Sequence, residues 1–138
     1  MAIKAFSKQH IFDRVWNGLK EQGFVQSMSE VKDFGPRCAY RGDEGRKCAA
    51  GHLIPDEDYN PAYEGMGIIA LAQTIRCDYG PRPSGFNNME EGARRMAIRH
   101  LMSCLQGAHD CGDIPELMES HLRSNAIRHG LTIPGEEA

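Results

Sequence analysis

The sequence predicts an α+β fold, with three main helices packed around a small antiparallel sheet centred on a hairpin. Apolar residues recur at helical spacing towards both ends of the chain, over residues 8–21, over 89–108 and from Pro115 onward. Between the first two of these lie two short runs, Arg37 to Arg41 and Arg46 to Ala50, around an acidic turn bounded by Gly42 and Gly45. Glycine is concentrated in the same middle region: 8 of the 15 glycines fall between residues 35 and 85, so turns crowd into the stretch that separates the helices. With 138 residues, 41% hydrophobic and 25% charged, the chain suits a single globular domain over 1–138, and collagen-like or wholly disordered chains are excluded.

The elements follow in order. Ser7 is a favourable N-cap, Phe6 can staple onto Ile11, and Ile11, Phe12, Val15, Trp16 and Leu19 form one apolar face that ends at Gly23. Residues 24–36 have no clear period and read as loop with room for one short strand, although Phe24, Val25, Val31 and Phe34 require burial. In the hairpin, a loop of Asp43, Glu44 and a left-handed Gly45 sets Tyr40 opposite Cys48 and Cys38 opposite Ala50. The stretch from Gly51 to Gly65, broken by Pro55 and Pro61, reads as an ordered acidic loop anchored by Tyr59 and Tyr63. Residues 67–76 favour a short buried helix over a strand, and 78–88 read as a surface loop.

Asn88 with Glu91 is a capping-box signature for the long helix 89–108, whose stripe runs through Ala93, Met96, Ala97, His100, Leu101, Cys104, Leu105 and Ala108. The last helix starts near Pro115, turns Leu117, Met118, Leu122 and Ala126 inward, pairs Glu119 with Arg123 and stops at Gly130. Residues 134–138 read as a frayed tail.

A net charge of −3 argues against a double-stranded DNA partner. The balance is uneven: residues 1–54 carry 9 basic and 6 acidic groups, a net of +3, and 55–138 carry 7 and 13, a net of −6. Five cysteines without framework spacing, an N-terminus without an apolar signal core, and no apolar run of membrane-spanning length point to a cytoplasmic protein with reduced thiols and no membrane partner.

Four constellations could carry chemistry. Cys38, Cys48 and His52, with His109 or Cys111 as a further donor, offer zinc-type ligands, but C-x9-C and C-x3-H spacings lack the tight knuckle of a structural zinc site. Two small buried thiols explain the pair more simply, so neither metal nor cofactor is expected. His109 with Asp110 offers a general base, against the plainer reading of a histidine at a helix C-terminus followed by a turn-forming aspartate. Asp56, Glu57, Asp58 and Glu64 could hold a hard cation or do acid–base work, against a solvated acidic turn. Arg37, Arg41, Arg46 and Lys47, joined by Arg95 and Arg99 and interleaved with Tyr40, could grip a phosphate or carboxylate, against a solvated hairpin.

Read together, Cys38, Tyr40 and Arg41, the run Lys47 to Tyr59, then Leu105, Gln106, His109 and Asp110, and finally His129 to Leu131 form a pattern. It resembles an uncharacterised family of short bacterial and phage proteins. The resemblance covers about two thirds of the chain, departs from it over Ile68 to Asn88, and carries no catalytic role. It implies a small intracellular binding or inhibitor protein, encoded by a phage or mobile element and acting against a host defence or nucleic-acid enzyme by occupying its surface. Its acidic second half would suit nucleic-acid mimicry.

Two rivals remain: a small hydrolase or transferase using His109 with Asp56 or Glu57, and a sponge that sequesters a small anionic ligand. Tyr40, Arg41, Lys47, Tyr59 and Gln106 are the expected ligand contacts; the partner is a host protein or the anionic ligand.

Overall fold

A computed structural model describes residues 8–31, 35–54, 56–67 and 89–136. Among them are three helices, α1 (Lys8–Glu21), α2 (Met89–Asp110) and α3 (Pro115–His129), and one antiparallel sheet of β1 (Met28–Val31) and β2 (Gly35–Cys38). Short 3₁₀ turns follow β2 over 43–45, 50–53, 56–58 and 61–63. The fold is α+β, as the sequence predicts. No described helix is long and apolar enough to cross a membrane. The expected caps at Ser7 and Asn88, the staple at Phe6, the helix over 68–76 and the loop over 78–88 lie outside the described residues.

The expected face of α1 is the buried one: Ile11, Phe12, Val15, Trp16 and Leu19 are all at most 2% exposed. The helix ends through two left-handed residues, Gly23 at φ +78° and Phe24 at φ +56°. Left-handed backbone costs a residue with a side chain about 1–2 kcal/mol. Phe24 is held there by its amide bond to the Leu19 carbonyl at 2.7 Å and by its ring, packed edge-on against Trp16 at 5.2 Å. Burying that aromatic surface more than offsets the strain.

The sheet differs from the expected hairpin. Strand β2 pairs with residues before it, Met28 opposite Cys38 and Val31 opposite Gly35, rather than with 46–50. The 42–45 turn does form, with Gly45 left-handed at φ +75° and Glu44 beside it at +60°, and it closes a lone bridge between Arg41 and Lys47. The ladder stops there, so Cys38 does not pair with Ala50. Ala49, Ala50, Leu53 and Ile54 are buried, and the chain folds into a 3₁₀ turn to bring them onto the core. Gly51 permits this turn, because a Cβ at that position would overlap the Tyr40 carbonyl oxygen.

Helices α2 and α3 close the core from the other side. Leu101, Leu105 and Ala108 meet Met118, Leu122 and Ala126 in one buried cluster with the α1 face. Leu117, expected inside, is 37% exposed: it sits in the first turn beside exposed Ile114, while its neighbour Met118 takes the inward position. His100 is likewise exposed and Cys104 only half-buried, so the stripe is narrower than its spacing implies. Gly130 caps α3 at φ +70°. Arg123 donates to Glu119, as expected, and also to Glu136, while Gln9 exchanges two hydrogen bonds with Thr132. Residues 134–136, expected to fray, are thereby tied to α3 through Glu136.

Candidate functional site

The cationic residues of the turn are engaged by the chain itself. The Arg41 guanidinium donates to the carbonyls of Gly51 at 2.6 Å and Ile54 at 2.9 Å and to Asp56 at 3.0 Å, and lies 4.9 Å from the centre of the Tyr59 ring. Lys47 bonds the same Asp56 oxygen at 3.3 Å. Asp56 is held below the usual carboxylate range by the Lys47 bond and charge and then by Arg41. Glu64 anchors the other side: it accepts the amides of Tyr40 and Arg41 at 2.9 and 3.1 Å and the Tyr59 hydroxyl at 2.5 Å. Burial and the neighbouring Glu64 push the Tyr59 hydroxyl up to about 12. Arg41, Lys47 and Tyr59, expected to grip a ligand, instead staple the 50–64 loop to the turn. Nothing in this arrangement leaves the open cationic fork that an anionic ligand would need.

His109 is fully buried, and both ring nitrogens are used. Its Nε2 accepts the Ser27 amide at 2.8 Å, and its Nδ1 faces Asp110 Oδ1 at 2.9 Å. A backbone N–H can only donate, so Nε2 carries the lone pair and Nδ1 the proton given to Asp110. The imidazole therefore joins the entry of β1 to the end of α2, with no nitrogen open to take a substrate proton. Gln26 adds two bonds to the carbonyls of His109 and Asp110 at 3.0 Å, satisfying the last turn of the helix. Among the described residues no hydrogen bond or ion pair joins His109 to Asp56 or Glu57; Asp56 is paired elsewhere and Glu57 is exposed. The constellation required of the hydrolase reading is not assembled.

The candidate zinc donors Cys38, Cys48 and His52 are also divided. His52 donates from Nε2 to Gln22 at 3.0 Å, with its ring laid on Gly18 of α1. Burial, then Lys47 and Arg41, push it down to about 4. Cys48 is buried and accepts the Gly51 amide at 3.4 Å, and burial pushes its thiol up to about 12. The donor atom of Cys38 lies instead within 4.8 Å of those of His109 and Asp110. A metal there would have to strip the Nδ1 proton of a histidine whose other nitrogen is already occupied, and this cluster is poorly suited to an ion.

What the fold does build is a cleft of about 380 Å³ between residues 38–40, the 64–67 segment and α2. That volume lies in the lower part of the range of small-molecule sites, roughly 300–1,000 Å³. Of the expected ligand contacts, Tyr40 and Gln106 line it, together with the catalytic candidate Asp110. The Tyr40 hydroxyl donates to the Met66 carbonyl, and Gln106 accepts the Ala50 amide at 3.0 Å and donates to Asp110 at 2.9 Å, so both are fixed in place. Burial alone would raise the Asp110 carboxyl, but bonds from His109, Gln106 and Cys38 outweigh it and hold it low. Its charge is thus present at neutral pH, on a side chain 44% exposed. The charged lining residues are Asp110 and Glu64, and no Lys, Arg or His is among the described residues of the wall.

Burial and the adjacent Asp110 push the Cys38 thiol up to about 11, and burial pushes Cys48 up to about 12, so both favour the protonated form. Gly107 completes the wall, and a Cβ there would meet nothing within 4 Å. A glycine inside a helix costs about 1 kcal/mol relative to alanine, and here packing does not demand it. Glu64, named in the acidic constellation, lines the wall, and Ser103 and Gly107 are wall residues that sequence reasoning missed. Gly107 was the findable one, a glycine inside the last turns of the best-marked helix of the chain.

Comparison with protein-family models, curated proteins and solved structures finds no match to this chain.

Proposed function

We propose that this is a non-catalytic binding protein whose cleft takes up a small cationic polar molecule against Asp110. One observation carries the reading: the described residues of the cleft wall hold charge of one sign, while the histidine and arginine that could do chemistry or attract anions are fixed by internal bonds. A carboxylate that is ionised, half-exposed and held on a helix end by His109 and Gln106 is a preorganised partner for an ammonium or amidinium group. Tyr40 and the small residues Ser103 and Gly107 supply shape. The role is sequestration without turnover, in keeping with the accessory setting that the motif resemblance implies, and it replaces an anionic ligand with a cationic one.

The test is a thermal-shift panel of small amines and matched carboxylates and phosphates, run on the native chain and on Gly107→Leu, which fills the cleft from a position with open space. Amines raise the melting temperature of the native chain and lose that effect in Gly107→Leu. Stabilisation by anions alone, or by amines equally in both proteins, overturns the proposal.

A further inference from the structure

The α2–α3 face carries a second constellation, one that the cleft does not use. His100 and Cys104 are one turn apart on α2, the i and i+4 spacing that sets two side chains on one face. His129, in the last turn of α3, comes to meet them: its ring centre is 5.5 Å from that of His100, and the three donor atoms all lie within 4.8 Å of one another. His100 Nε2 is 3.7 Å from Cys104 Sγ. Tetrahedral zinc with ordinary Zn–N and Zn–S lengths holds such a pair of donors about 3.6 Å apart. Among the described residues the Nε2 atom of His129 is buried without a hydrogen-bond partner, an arrangement that calls for a missing one.

We infer that His100, Cys104 and His129 form a binding site for a zinc-class transition-metal ion, clipping the end of α3 to α2. Two imidazoles and one thiolate are the borderline-soft donor set that zinc prefers over magnesium or calcium. Exposure of His100 leaves the fourth position to water. On binding, the Cys104 thiol gives its proton to solvent and its sulfur bonds the ion, while both histidines bind as neutral imidazoles. His129 is suited to this, because its buried Nε2 is bonded to no group among the described residues. The Cys38 cluster lacks the equivalent feature, since both nitrogens of its histidine are already bonded.

Cobalt(II) titration of the full chain under reducing conditions tests the site, with zinc as competitor. The expected result is one equivalent of cobalt giving tetrahedral d–d bands and a thiolate-to-metal charge-transfer band, both erased by zinc. Cys104→Ser and His129→Gln abolish the charge-transfer band, and Cys38→Ser leaves it intact. Cys104→Ser decides the matter if His129→Gln fails to give a native circular dichroism spectrum. A native chain with no charge-transfer band, a band that survives Cys104→Ser, or one lost in Cys38→Ser overturns the assignment.

Discussion

The Ser27 amide donates to His109 Nε2 at 2.8 Å across 82 residues of sequence, and both residues are fully buried. This bond makes His109 a strut between the first strand and the end of the long helix. Removing the imidazole orphans a buried amide and leaves a cavity, so His109→Ala is expected to lose about 2–4 kcal/mol of stability. His109→Gln, which can still present an acceptor, should recover part of it. Urea denaturation of the two variants checks this; equal, negligible losses would contradict the strut.

His52 gives the fold an acid-sensitive joint. Its pKa lies near 6.5 unfolded and about 4 folded, so the unfolded chain binds the proton more readily between those values. Stability is therefore complete above about pH 6.5 and falls as pH drops towards 4, by on the order of 3 kcal/mol at 1.36 kcal/mol per unit. Denaturation midpoints at pH 7.5 and 4.5 should differ strongly in the native chain and much less in His52→Gln. The shifted carboxylates Asp56, Asp110 and Glu136 are all depressed below their ordinary range, and their losses begin at lower pH.

Two glycines should respond to alanine with opposite sign. Gly51→Ala drives a methyl group into the Tyr40 carbonyl, where backbone must move, and should cost about 1–3 kcal/mol. Gly107→Ala meets open space inside a helix and should gain about 0.5–1 kcal/mol. Melting temperatures of the pair decide it, and a loss of stability in Gly107→Ala would count against an empty cleft wall.

Arg41→Lys keeps the charge but loses the planar fork that reaches two carbonyls and Asp56 at once. Faster amide hydrogen exchange should appear over residues 50–64 while α1 and α3 keep their protection. Uniform acceleration across the chain would show that the network does not act locally.

Much of the helical framework was legible because its information is local. The α1 stripe named every buried residue of that helix, and Pro115 and Gly130 marked both ends of α3. Strand β1 was legible only as room for one short strand within 24–36, since its four residues show no period and the partner that holds Ser27 before it lies far along the chain. The second arm of the expected hairpin failed for a tertiary reason: burying Ala49, Ala50 and Leu53 outweighs extending a ladder. In the candidate site, Tyr40, Gln106 and Asp110 were recognised by residue type and motif. Arg41 and Lys47 were misread, because their partners are backbone carbonyls and an aspartate that only the folded loop brings within reach.

The most direct test of the binding role is a nitrogen-15 amide titration of the folded chain with a small diamine and, separately, with a dicarboxylate of equal length. The diamine should shift the amides of Gly67, Ser103, Gly107 and Asp110 in a saturable manner, with no change in those residues for the dicarboxylate and none for either compound in Asp110→Asn. Saturable shifts at these positions with the dicarboxylate, or diamine shifts that persist in Asp110→Asn, would contradict a cleft built for a cation.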